Sequence, residues 1–151
     1  MKTGKTLNAL TETINGAAMI VHSERGPGLL ESAYEACLGM ELEERGLRVE
    51  RQKTLPLRYR GAELEFGYRL DLLVAETVIV EVKAVEAPAP VHGAHLLSYL
   101  RLSGCPVGLL LNCNVVRLKD GIQRVVNDFP EPAHRSATSA FHAVAVSKED
   151  E

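Results

Sequence analysis

The chain has 151 residues, of which 46% are hydrophobic and 25% charged, and its formal net charge is −3. That is one domain by length, with the composition of an ordinary soluble globular protein and enough apolar residues for a core. It carries no global basic signature of the kind many nucleic-acid binders show. Cys37, Cys105 and Cys113 are odd in number and never at CxxC spacing, which excludes a disulfide framework, a zinc knuckle and an iron–sulfur motif. MKTGKTLNALTETING has no apolar stretch of signal-peptide type, and no apolar run approaches transmembrane length. The expected location is the cytoplasm, with no membrane association.

In chain order, Leu7, Leu10, Ile14, Ala17, Ala18 and Val21 fall at helical spacing and predict a helix over residues 5–24. Arg25-Gly26-Pro27-Gly28 breaks it. A second helix is predicted from Leu29 to Arg45, with Leu30, Ala33, Tyr34, Cys37, Leu38 and Leu42 on its apolar stripe and Gly46 as its stop. Leu47–Tyr59 reads as one or two strands interrupted near Pro56, and Arg60-Gly61-Ala62 as a turn. Glu63–Val74 and Thr77–Val85 form a hairpin. After the loop Glu86–Pro90 a third helix runs over Val91–Ser103, ended by Gly104. The continuous apolar run Pro106–Asn112 suits a central strand covered on both faces. A further short strand is predicted at Asn114–Leu118, followed by a turn at Lys119-Asp120-Gly121. Residues 1–127 are expected to form the domain. Residues 128–151, with scattered Ala and Ser and an acidic end, read as a loosely held tail.

Within the hairpin, Glu81 and Lys83 are the only polar residues of VIVEVKAV. They share a face, because side chains alternate along a strand. If the turn is centred on Glu76, Asp71 lies directly opposite Glu81, with Cβ atoms about 5 Å apart. A two-residue turn at Ala75-Glu76 would put the acids on opposite faces. Ionised groups on so apolar a strand cost several kcal/mol each, as a rough figure, unless paired. A divalent cation is one such partner; the ordinary alternative is a partly solvated edge strand.

Three further groups deserve naming. Glu31 and Tyr34 are three apart on the second helix and share a face. A first-turn Glu facing the helix dipole and a Tyr in the apolar stripe explain them equally well. His92, His95 and Tyr99 share a face of the third helix, suited to a metal or to hydrogen bonds within a half-buried surface. Arg45, Arg48, Arg51, Lys53, Arg58 and Arg60 are the one basic concentration, able to meet phosphates or merely to line exposed strand faces.

Taken together, GPGLLESAYEACLGMELEERGL, YRGAELEFGYRLDLLV, VIVEVKAV, HGAHLLSYLRLSG and PVGLLLNCNVVRLKDGIQRVVN resemble, in order and spacing, the GxxExxY protein family. That family is placed in the PD-(D/E)XK nuclease superfamily. The resemblance covers residues 7–127. It implies an α/β, restriction-endonuclease-like core with a central mixed β-sheet of about four strands flanked by helices. It implies catalytic roles for Glu31, Asp71, Glu81 and Lys83. Mg²⁺ or Mn²⁺ would be held by Asp71, Glu81, the backbone carbonyl of Val82 and Glu31. Tyr34, His92, His95, Tyr99 and Arg69 are the expected substrate contacts. The implied activity is phosphodiester hydrolysis of nucleic acid, DNA before RNA, by a chain that could form a homodimer. The alternative is a non-catalytic nucleic-acid-binding module that keeps the fold. One departure stands out: His95 replaces the glutamine that relatives carry in the Q-x-x-x-Y helix motif.

Overall fold

The computed structural model describes residues 3–130 and 146–148. Helix α1 spans Gly4–Arg25; the Thr3 hydroxyl caps its start by accepting from the Thr6 N–H at 3.1 Å, and Gly26 ends it at φ 74°. Helix α2 spans Glu31–Glu44. Strand β1 (Val49–Tyr59) is continuous across Pro56 and turns into β2 (Ala62–Val74) through Arg60 and Gly61, both left-handed, the two-residue turn that matches strand twist. The register slips between Pro56 and Leu57. Gly67 sits at that slip, where a Cβ would collide with the Leu55 carbonyl oxygen.

Strand β3 is Val78–Lys83, helix α3 Pro90–Ser103 and strand β4 Val107–Asn112. The α3 crossover makes β3 and β4 parallel; every other neighbouring pair is antiparallel. The sheet has six strands in the order β1-β2-β3-β4-β5-β6 rather than the four expected. The expected strand at Asn114–Leu118 is not formed. The chain instead makes a 3-10 turn at Leu118–Gly121 and enters β5 at Ile122–Val126. Asn112 explains the departure: its side-chain oxygen accepts from Asn114 N–H, so the chain leaves the sheet at the end of β4. Val116, counted as a strand residue from sequence, is 87% exposed. Part of the expected tail returns as β6, Val146–Lys148, paired with β5. Residues 131–145 and 149–151, also assigned to the tail, lie outside the described residues.

Two apolar clusters sandwich the sheet. Leu7, Ile14, Ala17, Tyr34, Leu38 and Leu42 from α1 and α2 pack on Leu72, Val74, Val80, Val82, Leu109 and Leu111. Leu96 and Leu100 of α3 pack on Leu70, Ile79, Leu110 and Val125. Each fully buried side chain contributes roughly 1.5–3 kcal/mol, so both faces are held firmly. No described helix is long and apolar enough to cross a membrane.

Candidate active site

The β2–β3 ladder pairs Val74 with Val78, Leu73 with Ile79 and Leu72 with Val80. This is the register that sets Asp71 opposite Glu81. At that step the backbone ladder stops and carboxylates take over. The Asp71 N–H donates to Glu81 Oε2 at 3.0 Å, and the Val82 N–H donates to Asp71 Oδ2 at 2.9 Å. Each acid satisfies a donor that the interrupted ladder would otherwise leave bare.

The strands also change face here. Leu70 and Leu72 are two apart and by simple alternation would share a face. Leu72 nevertheless packs under α1 and α2, and Leu70 under α3. The neighbouring strand does the same: Val49 packs toward the first cluster and Leu55 toward the second. Between them Gln52 holds φ 53°, unusual for a non-glycine residue within a strand. The break lets the Asp71 carboxylate turn sideways into the gap between β2 and β3.

Burial governs the electrostatics. Glu81 is 6% exposed, and desolvation together with the Asp71 charge pushes its pKa up to about 8. Asp71 is raised as well, mainly by burial and further by Glu35; the Val82 N–H, Lys83 and Gln52 pull the other way. Lys83 is half-buried at the end of β3, close enough for its ammonium to favour both ionised acids. Its carbonyl accepts from Cys113 N–H. Alternation puts Glu81 and Lys83 on the side of Ile79, toward α3. There burial, followed by the charges of Glu81 and Asp71, raises the pKa of the Tyr99 hydroxyl. The Tyr99 ring meets Tyr68 at 5.2 Å.

On the opposite side, Glu31 does not point at the Asp71–Glu81 pair. Its carboxylate accepts from the Ala84 N–H at 2.9 Å and so clamps the chain just beyond Lys83. Asn112 holds the same stretch: it accepts from Val85 N–H at 3.1 Å and donates to Val85 O at 2.9 Å. Glu31, Ser32, Glu35, Gln52, Asp71 and Ala84 line one open groove of about 720 Å³.

Two participants escaped the sequence reading. Glu35, 4% exposed, accepts from Arg51 Nε at 3.1 Å and from Gln52 Nε2 at 2.9 and 3.0 Å. Gln52 also reaches Asp71 Oδ1, at 3.4 Å. One signal was available: Glu35 lies four residues after Glu31 and next to the apolar stripe, where an unpaired acid is costly. Nothing local marks Gln52.

The remaining expected contacts divide. Tyr34 is a correction. It is fully buried and its hydroxyl donates to Ala18 O at 2.8 Å, so it braces α2 against α1 and does not line the groove beside Asp71. His92 Nδ1 accepts from Ala89 N–H at 3.1 Å and helps start α3. His95 is exposed one turn before Tyr99. Arg69 is exposed on β2, opposite Thr54. Most of the basic concentration is spent on ion pairs: Arg45 with Glu41, Arg48 with Glu76, Arg51 with Glu35 and Lys53 with Glu50.

Among the described residues no three His, Cys, Asp or Glu side chains are grouped so as to hold a metal ion. The donor chemistry still fits a hard divalent cation. Asp71 and Glu81 supply oxygen donors from neighbouring strands, both shifted toward protonation by burial, so a cation could take the place of the proton. Backbone oxygen and water would have to complete the shell.

The chain matches the family model of the PD-(D/E)XK nuclease superfamily over residues 8–125. No curated protein and no solved structure matches it. The matched span runs from α1 through β5 and takes in Glu31, Asp71, Glu81 and Lys83. With most of its length matched, and with a mixed six-stranded sheet flanked by helices, the chain belongs to the PD-(D/E)XK nuclease superfamily and has a restriction-endonuclease-like fold.

Proposed function

We propose that this chain is a divalent-cation-dependent phosphodiesterase acting on DNA, of the GxxExxY type. The observation that carries the reading is the interrupted ladder, where the buried carboxylate of Glu81 and the half-buried one of Asp71 each accept from the facing strand's backbone and a lysine follows Glu81 two residues later. Such an arrangement is expensive as pure structure, since apolar residues could have continued the ladder. Mg²⁺ or Mn²⁺, when bound, would polarise a scissile phosphate and lower the pKa of a water. Asp71 and Glu81 would hold it through their carboxylate oxygens, with the Val82 carbonyl beside them. Lys83 would offset negative charge developing at phosphorus. Glu31 and Asn112 keep the strand end that carries Lys83 in place. Tyr99 and His95 would contact the substrate from the α3 side.

A binding module that has kept the fold is the second reading. It draws on the backbone hydrogen bonds made by Asp71, Glu81 and Glu31, a structural use that would outlast lost chemistry. One experiment separates the two: Mn²⁺ calorimetry on the wild type and on Asp71→Ala, followed by gel assays with single- and double-stranded DNA. Metal uptake and cutting that both vanish in Asp71→Ala support the nuclease. DNA binding without either supports the module.

A further inference from the structure

We propose that Gln52 is a positioning residue, an amide clamp that ties the buried carboxylate of Glu35 to Asp71 and fixes the direction of the Asp71 oxygens. The inference rests on the phosphodiesterase reading and deepens it.

Three observations converge on Gln52. First, its backbone is left-handed, φ 53°, in the middle of β1, a conformation that a side chain with a Cβ adopts at a cost. Something must hold it there. Second, that residue stands opposite Asp71 in the β1–β2 register, between the pairs Arg51↔Leu72 and Lys53↔Leu70. The strained position and the functional acid are therefore at one level of the sheet, the level at which both strands change face. Third, the side-chain nitrogen has three carboxylate oxygens around it: Glu35 Oε1 at 2.9 Å, Glu35 Oε2 at 3.0 Å and Asp71 Oδ1 at 3.4 Å. The amide must turn its nitrogen toward this acceptor-only neighbourhood, and its two hydrogens serve one carboxylate each.

The consequence for Asp71 is specific. Oδ2 is pinned by the Val82 N–H, and Oδ1 is approached by Gln52 from the β1 side. With both oxygens held, the carboxylate is fixed at the edge of the groove that Gln52, Glu35 and Asp71 line together. A neutral amide suits the place. A cation there would draw Asp71 into an ion pair, and a third carboxylate would repel it. Glu35 in turn is held by Arg51 at 3.1 Å, so the clamp is anchored to α2 and β1 rather than to a mobile side chain. Small errors in the placement of a reacting group cost turnover more than binding.

Gln52→Gly tests this, because glycine accepts the left-handed backbone freely and only the amide is lost. In the metal-free protein, NMR couplings at Asp71 should show one χ1 rotamer in the wild type and averaging in Gln52→Gly. With Mn²⁺ and DNA, kcat should fall by about 10²-fold while KM stays near the wild-type value. Gln52→Asn also tolerates the backbone and keeps an amide on a shorter stem, so it should recover part of both readouts. Should Gln52→Gly melt without cooperativity, Gln52→Asn decides by the same two measurements. A single Asp71 rotamer and wild-type kcat in the variants would overturn the clamp. If the wild type neither takes up Mn²⁺ nor cuts DNA, the phosphodiesterase reading falls, and the rotamer comparison still decides whether Gln52 positions Asp71.

Discussion

The two ends of the β2–β3 hairpin use the same pair of strands in opposite ways. Near the turn, Leu72, Val74, Val78 and Val80 pair backbone to backbone and bury completely beneath α1 and α2. One step further, Asp71 and Glu81 put carboxylates where ladder bonds would be. The first end lowers the free energy of the fold by removing apolar surface from water. The second raises it, since two acids are desolvated side by side, with Lys83 favouring their ionised forms only in part. The contrast teaches that the regular end supplies the stability that lets the irregular end exist. Substitutions at the two ends should therefore separate stability from activity.

The largest expected effect is on turnover. Asp71→Ala and Lys83→Ala should each lower cleavage by about 10³-fold, roughly 4 kcal/mol of barrier. Asp71→Ala should also lose Mn²⁺ uptake, and Lys83→Ala should keep it. Single-turnover assays beside calorimetry check both. Cleavage by Lys83→Ala at the wild-type rate would assign the activity elsewhere.

The next effect is on the pH dependence of stability. Glu81 titrates near 8 in the folded chain and in the ordinary carboxyl range when unfolded. Between those values the folded state holds more protons, so stability falls as pH rises from about 4.5 to about 8. Metal-free Glu81→Gln should flatten this decline. Its melting temperature should exceed the wild type's at pH 8.5 and match it more nearly at pH 4.5. A variant melting lower than wild type at pH 8.5 would mean that the carboxylate stabilises the fold as an anion.

At the regular end the pattern should invert. Val80→Ala removes fully buried methyl groups and should cost about 1–3 kcal/mol in denaturant unfolding, while each folded molecule keeps wild-type activity. Tyr34→Phe, which removes the hydroxyl's hydrogen bond to the Ala18 carbonyl, should cost about 1 kcal/mol and spare activity. A large loss of cleavage in Tyr34→Phe would return that residue to the substrate site. The smallest effect is expected at exposed His95, where His95→Gln should change cleavage by no more than a few-fold.

Much of this division could be read before any coordinates. The sequence left two registers open, of which a turn centred on Glu76 would place Asp71 opposite Glu81, and the Val74–Val78 pairing takes that one. The three helices came from apolar stripes and glycine stops, with ends correct to within two residues. Other parts were misread for identifiable reasons. Val115 and Val116 suggested a strand, but Asn112 takes the chain out of the sheet before them. Tyr34 falls on the apolar stripe of α2 and, by the family resemblance, among the substrate contacts; its ring turns into the α1–α2 seam, as the stripe alone implied. The basic concentration invited a phosphate site, and the structure spends most of it on carboxylates that come in part from distant segments.

The sequence by itself determined the local periodicities: three helices, the apolar hairpin, and the isolation of Asp71, Glu81 and Lys83 among apolar neighbours. These depend on residues within a few positions of one another, which is the range over which backbone geometry fixes side-chain direction. Only the tertiary structure decided that β1 and β2 both change face at Gln52 and Asp71, that Glu35 is buried beneath them, and that Glu31 holds Ala84 instead of joining the acid pair. Those contacts join residues 17, 19 and 53 positions apart. Alternation tells which side of a strand a residue takes relative to its neighbours. Which element covers that side, and where sheet twist breaks the alternation, is set by packing the whole chain.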